Sequence, residues 1–147
     1  MRHATFLRRC GGIALWFLGY HAVWGAAWFA FMRREWLAAT AAVHRTEPWN
    51  EIWLVFIVLD LVIGAVIVSY VAADPRESWI RRALSASALV WLVMTAGMAG
   101  WGWMESFGAR VIVLDSAVNL AAMLAAGMAG SWALLETKGL PAEAGAG

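Results

Sequence analysis

The sequence predicts an all-α membrane protein: a bundle of four transmembrane helices with the N- and C-termini in the cytoplasm. Three observations lead there. Of 147 residues, 63% are apolar or aromatic and only 14% are charged, where a soluble domain carries about 25% charged residues. So few charges cannot cover a water-soluble globule, which excludes a cytosolic enzyme, a disordered tail and a disulfide-built secreted domain. Charges also divide the chain into four apolar windows: Cys10–Met32, Ile52–Ala73, Ala83–Met104 and Val111–Leu135. Each is 22 residues or longer, and about 20 suffice to cross a hydrocarbon core of about 30 Å. Period-two alternation is missing, which argues against a barrel.

The first helix is expected over residues 10–33. Its charge-free window of 23 residues exceeds the roughly 7–15 of a signal-peptide core, so it is read as retained despite the basic start and Ala39-Thr40-Ala41. The Ala-rich connection Arg33–Arg45 either extends this helix or lies along the interface. Thr46-Glu47-Pro48 opens a second helix over 48–73. Asp74 as N-cap, Pro75 in the first turn and Glu77 two residues on open a third over 76–104. The fourth is expected over 110–137, stopped by Gly139 and Pro141. Residues 1–138 thus form one domain and 139–147 a flexible tail.

Orientation follows from the basic residues flanking the helices. With the N-terminus inside, the cytoplasmic side carries Arg2, Arg8, Arg9, Arg76, Arg81, Arg82 and Lys138, against Arg33, Arg34, Arg45 and Arg110 outside. The expected location is the cytoplasmic (inner) membrane of a bacterium. Trp36, Trp49, Trp53, Trp79, Trp101, Trp103 and Trp132 fall near helix ends, as interfacial aromatics do.

Three ionisable side chains lie inside the windows: His21, Asp60 and Asp115. A charge at mid-bilayer costs roughly 2.5–3.5 kcal/mol on insertion scales, so such groups face a bundle interior or a water-filled cavity. Asp60 is nine residues beyond Glu51 and Asn119 nine beyond Arg110, which puts both about 13 Å inward. Trp24 and Thr95 fall at a comparable depth. These four residues form one layer, one from each helix, in the outer half of the membrane. Asp115 shares a face with Asn119, and His21 shares one with Trp24 and Trp28.

A pocket of two carboxylates, an amide, an imidazole and tryptophan faces suits a small cation or amine. It equally suits proton transfer, because desolvation there stabilises a carboxyl in its neutral form. The candidate ligand-binding set is Asp60, Asp115, Asn119, His21, Trp24, Trp28 and Thr95. Against it stands a structural role, with the acids acting as hydrogen-bonded glue between helices. A non-catalytic subunit packed against a larger membrane partner is the rival function, and an isomerase-like enzyme using Asp60 and His21 a third. A small bundle of this kind would dimerise to build a translocation path.

Other chemistry fails on residue count. His21 is the only histidine in a window, one cysteine (Cys10) serves no dithiol chemistry, and no zinc set, catalytic triad or phosphate loop appears. No catalytic set, metal or cofactor is therefore expected, and a net charge of +1 offers no field for nucleic acid. The small-residue runs Ala96–Gly100 and Ala126–Gly130, with Gly64 and Ala65, are expected to let helices approach closely. Ile57-Val58-Leu59-Asp60 also echoes Ile112-Val113-Leu114-Asp115, placing an acid on two helices of the same direction.

Trp49 followed by Val58-Leu59-Asp60-Leu61 and Gly64, then Thr95-Ala96-Gly97-Met98, an aromatic helix end, and Asp115 with Asn119 form a series. Over Trp49 to Leu135 it resembles the YvaD-like family of small four-helix bacterial membrane proteins. That family has an acidic residue early in its first helix, where this chain has Tyr20 and His21. The resemblance implies the four-helix architecture and no activity. A fold-level analogy runs to emopamil-binding-like sterol isomerase bundles, which place acids and tryptophans around an amine-binding cavity.

Overall fold

In a computed structural model the chain folds as a helical bundle, described over residues 2–42, 49–73, 78–104 and 107–135. Helices run α1 (Arg2–Ala27), a π-helical turn (Trp28–Met32), α2 (Arg33–Ala42), α3 (Trp49–Ala73), α4 (Trp79–Met104) and α5 (Ala109–Trp132). Four stretches are long and apolar enough to cross a membrane: Thr5–Ala41, Leu54–Ala73, Trp79–Gly102 and Ala109–Trp132. No strand occurs among the described residues. The expected helix starts at Thr46–Pro48 and Asp74–Glu77, the stop at Gly139–Pro141 and the tail over 139–147 lie outside them.

The first helix differs from its expected bounds. Instead of ending near residue 33 it continues through the Ala-rich segment, resolving that segment as an extension of the helix. From Arg2 to Ala42 the rod is about 60 Å long, twice a hydrocarbon core. The π turn, in which the Arg33 amide donates to the Trp28 carbonyl, makes this extension useful. One inserted residue turns the helix face by about 100°. It brings Met32, Trp36 and Thr40 to the bundle side, where Met32 and Thr40 are buried.

α5 is the axis of the bundle and packs on α1 and α4, while α3 closes the far side against both. Its small residues explain this. A Cβ added to Gly130 would sit 2.7 Å from the Gly12 carbonyl oxygen and 2.9 Å from the Trp16 side chain, and one on Gly12 would sit 2.8 Å from the Gly130 carbonyl. The α1 and α5 backbones therefore touch. Ala126 faces Gly19 one turn further on, and Gly127 lies against Ser87 and Ala83 of α4. Gly64 of α3 receives the face of Trp16, which is fully buried. Around these approaches Trp16, Tyr20, Ile63, Ile67, Val68, Ala122, Met123 and Ala126 form the core.

The small-residue expectation thus holds for α5 and for Gly64, but not for α4. A Cβ added to Gly97 or Gly100 would meet no atom within 4 Å, and both glycines face outward.

Two polar ties fix the ends. Arg82, buried at the start of α4, donates to the Tyr70 carbonyl and lies 4.1 Å from the Tyr70 ring centre, joining α3 to α4. At the opposite end Phe107 donates to the Gly102 carbonyl (2.8 Å), tightening the turn into α5. Outside the bundle, α3 exposes every residue from Leu54 to Leu59, an apolar surface larger than water-soluble monomers tolerate and suited to lipid.

Gly130→Ala is expected to push α1 off α5 and cost about 1–3 kcal/mol by overpacking. Gly97→Ala, in open space, is expected to be neutral or to stabilise by up to about 1 kcal/mol through helix propensity. Thermal unfolding of both variants in one detergent checks this.

Candidate functional site

Asp60 and Asp115 are both buried, with 6% and 7% of their surface exposed. They lie on α3 and α5, which run in the same direction, as the repeated Ile-Val-Leu-Asp motif implies. The space between them is filled from α1. Tyr20 is buried, and its hydroxyl lies close enough to both carboxyls for each to act on it electrostatically. That hydroxyl donates a hydrogen bond to Asn119 Oδ1. The Asn119 amide in turn donates to Asp115 Oδ2 (2.8 Å) and to the Asp115 carbonyl (2.9 Å). A continuous chain of donors thus runs from α1 to the acid of α5.

Asp60 has a different partner. His21, next to Tyr20 on α1, places Nε2 3.5 Å from Asp60 Oδ2. This is ion-pair distance, beyond the 2.7–3.2 Å of a good hydrogen bond, and Nε2 is buried with no hydrogen-bond partner. The imidazole packs edge-on against Phe17 and Tyr20. About a third of its side chain (32%) remains exposed. Asp60 is thus shut inside while its neighbour reaches the rim.

Tyr20 owes its place to the ring beneath it. Trp16, one turn earlier, stacks on Tyr20 with centroids 5.3 Å apart and planes 5° from parallel. Gly64 and Gly130 leave room for that indole. Toward the end of the bundle away from the N-terminus of α1, the extension of α1 supplies a cover. Trp36 contacts Phe107 edge-on at 5.3 Å and Trp101 at 6.4 Å. Its indole Nε1 is buried there without a hydrogen-bond partner. Glu35 accepts from Arg110 at 3.3 Å, an exposed tie between α2 and α5 that is worth little by itself.

Of the seven residues expected from the sequence, four come together: Asp60, Asp115, Asn119 and His21. Trp24 packs against the edge of the core and stacks on Trp28 at 5.2 Å, so this aromatic wall exists along α1. Thr95, half-buried on α4, is joined to none of them by a hydrogen bond. α4 contributes Trp91 instead, whose Nε1 donates to the Ser116 carbonyl of α5 (2.7 Å). Sequence reasoning missed Tyr20 and Trp16. The spacing Gly12, Trp16, Tyr20 was the available signal: one helical face on which a glycine precedes two large rings.

Among the described residues no lysine or arginine pairs with either buried acid, and no group of three or more His, Cys, Asp or Glu is placed to hold a metal. Two carboxylates, a phenol, an amide and an imidazole therefore share one site without a fixed cation. Ionising both acids in low dielectric is costly without a counter-charge. The arrangement can bind protons or a small cation, or pass a proton between Asp60 and His21. An apolar groove of about 410 Å³ lies elsewhere, lined by Leu15, Trp79, Met128, Ala129 and Trp132.

Compared with protein-family models, with curated proteins and with solved structures, the chain has no match.

Removing the hydroxyl in Tyr20→Phe leaves Asn119 Oδ1 without its donor. A double-mutant cycle of Tyr20→Phe with Asn119→Ala, read by unfolding in detergent, is expected to give a coupling of about 0.6–2 kcal/mol. Pairing Tyr20→Phe with Thr95→Val is expected to be additive.

Proposed function

We propose that the chain is an integral protein of a bacterial cytoplasmic membrane, both termini inside, whose acid cluster binds a small cation or protonatable amine in the outer half of the bundle. One observation carries this reading: two buried carboxyls flank Tyr20 with no lysine or arginine set against them among the described residues. A buried carboxyl in a membrane protein is either held neutral by a proton or balanced by a positive partner, and an exchangeable cation can take the proton's place. The Trp24–Trp28 stack supplies π faces on the same helix, which favour organic cations over bare metal ions. Seven basic residues against four around the helix ends support the orientation.

His21 is the proton acceptor in this reading: its Nε2, 3.5 Å from Asp60 Oδ2, is placed to take the Asp60 proton when a cation arrives. A second copy would complete any path across the bilayer, since one four-helix bundle is narrow. The alternative of an accessory subunit draws support from the outward Gly97 and Gly100 of α4, where a partner helix can approach closely.

The small organic cation methylammonium tests the site. Wild-type protein is expected to gain thermal stability with the probe, by about 2.7 kcal/mol at a hundredfold excess over Kd. Asp60→Asn is expected to insert and fold yet show no gain. Protons compete for the same carboxyls, so the gain should weaken as pH falls. Full stabilisation of Asp60→Asn by the probe would overturn the proposal.

A further inference from the structure

The apolar groove at the other end of the bundle has no part in the acid cluster. It lies over the outer face of α5, bounded by Leu15 of α1 and Trp79 of α4, with Met128, Ala129 and Trp132 as its floor and end. Met128 and Trp132 are 41% and 49% exposed, so the groove opens sideways, where acyl chains would lie. Gly11, one turn before Leu15, has nothing within 4 Å of where a Cβ would be. Arg8 continues the same stripe one turn further, and both Arg8 and Arg9 are exposed.

We propose that this groove seats an acyl chain of an anionic phospholipid from the leaflet nearest the N-terminus, with Arg8 and Arg9 holding its headgroup. The spacing fits. Seven residues separate Leu15 from Arg8, about 10 Å along the helix, which spans the step from hydrocarbon to the headgroup layer. Trp79 and Trp132 close the groove at the level that interfacial tryptophans take in bilayers. Charge decides the occupant. A second copy docked symmetrically on this face would bring its own Arg8 and Arg9 against the same rim, and like charges repel there. An anionic headgroup meets the same arginines favourably.

This inference rests on the membrane placement proposed above and is independent of the acid cluster. The test is native mass spectrometry of the full chain released from vesicles of equal phosphatidylglycerol and phosphatidylcholine with matched acyl chains. Phosphatidylglycerol is expected to be retained in preference. Arg8→Gln and Arg9→Gln, both at exposed positions, should each cut that preference about fivefold. Leu15→Trp, which fills the groove, should reduce retention of both lipids. Equal retention of the two lipids by the wild type, unchanged retention by Leu15→Trp, or a lipid-free dimer would overturn the inference. Failure of the chain to enter vesicles would overturn it by removing the membrane placement beneath it.

Discussion

The contact of two backbones, α1 at Gly12 and α5 at Gly130, sets the rest of the structure. Lipid tails are as apolar as leucine, so helices in a membrane gain nothing by hiding apolar surface from one another and depend on close packing and polar contacts. A side chain at either glycine would hold the helices apart, since its Cβ would fall within 2.8 Å of the opposing carbonyl oxygen. With the backbones touching, Trp16 is caught between Gly64 and Gly130, and its ring supports Tyr20. Tyr20 then reaches Asn119 on α5. The site is built from the packing outward.

That order gives the acid cluster its character. Tyr20, Asn119 and Asp115 form a hydrogen-bonded chain whose geometry is held by the α1–α5 contact. Asp60 comes in from α3 and, among the described residues, is approached by His21 Nε2 at 3.5 Å, with no hydrogen bond to the Tyr20–Asn119–Asp115 chain. One acid is held by a network and the other is free to exchange its partner. Such a division suits a site that binds and releases a positive charge: a fixed carboxyl orients it and a looser one adapts. The π turn carries the first helix past the start of α5, where Trp36, Trp101 and Phe107 form an aromatic cluster at the Asp115 end of the site.

How much of this was legible in the sequence depends on the kind of information involved. The number of helices was, because an apolar run of 22 residues or more with at most one charge has few other uses. The partnership of Asp60, Asp115, Asn119 and His21 was also legible, since ionisable groups in such runs must turn inward and their depth follows from counting residues. Facing was not. Thr95 sits at a suitable depth and half-buried but makes no hydrogen bond to either acid, and depth alone cannot distinguish the two cases. The small residues of α4 read like those of α5, yet Gly97 and Gly100 face outward while Gly127 and Gly130 hold the bundle together. A π turn leaves no composition signal, so the sequence left open whether Arg33–Arg45 extends the first helix, and the aromatic cover it carries stayed hidden. Tyr20 was passed over because a neutral phenol does not demand a partner as a buried charge does.

The most direct measurement is solid-state nuclear magnetic resonance of the full chain in lipid bilayers, with labelled aspartate, histidine and lipid acyl chains. Cross-peaks from the Asp60 carboxyl to the His21 imidazole, without cross-peaks to acyl methylenes, are the predicted result. An Asp60 carboxyl that correlates with acyl chains and not with His21 would contradict the account.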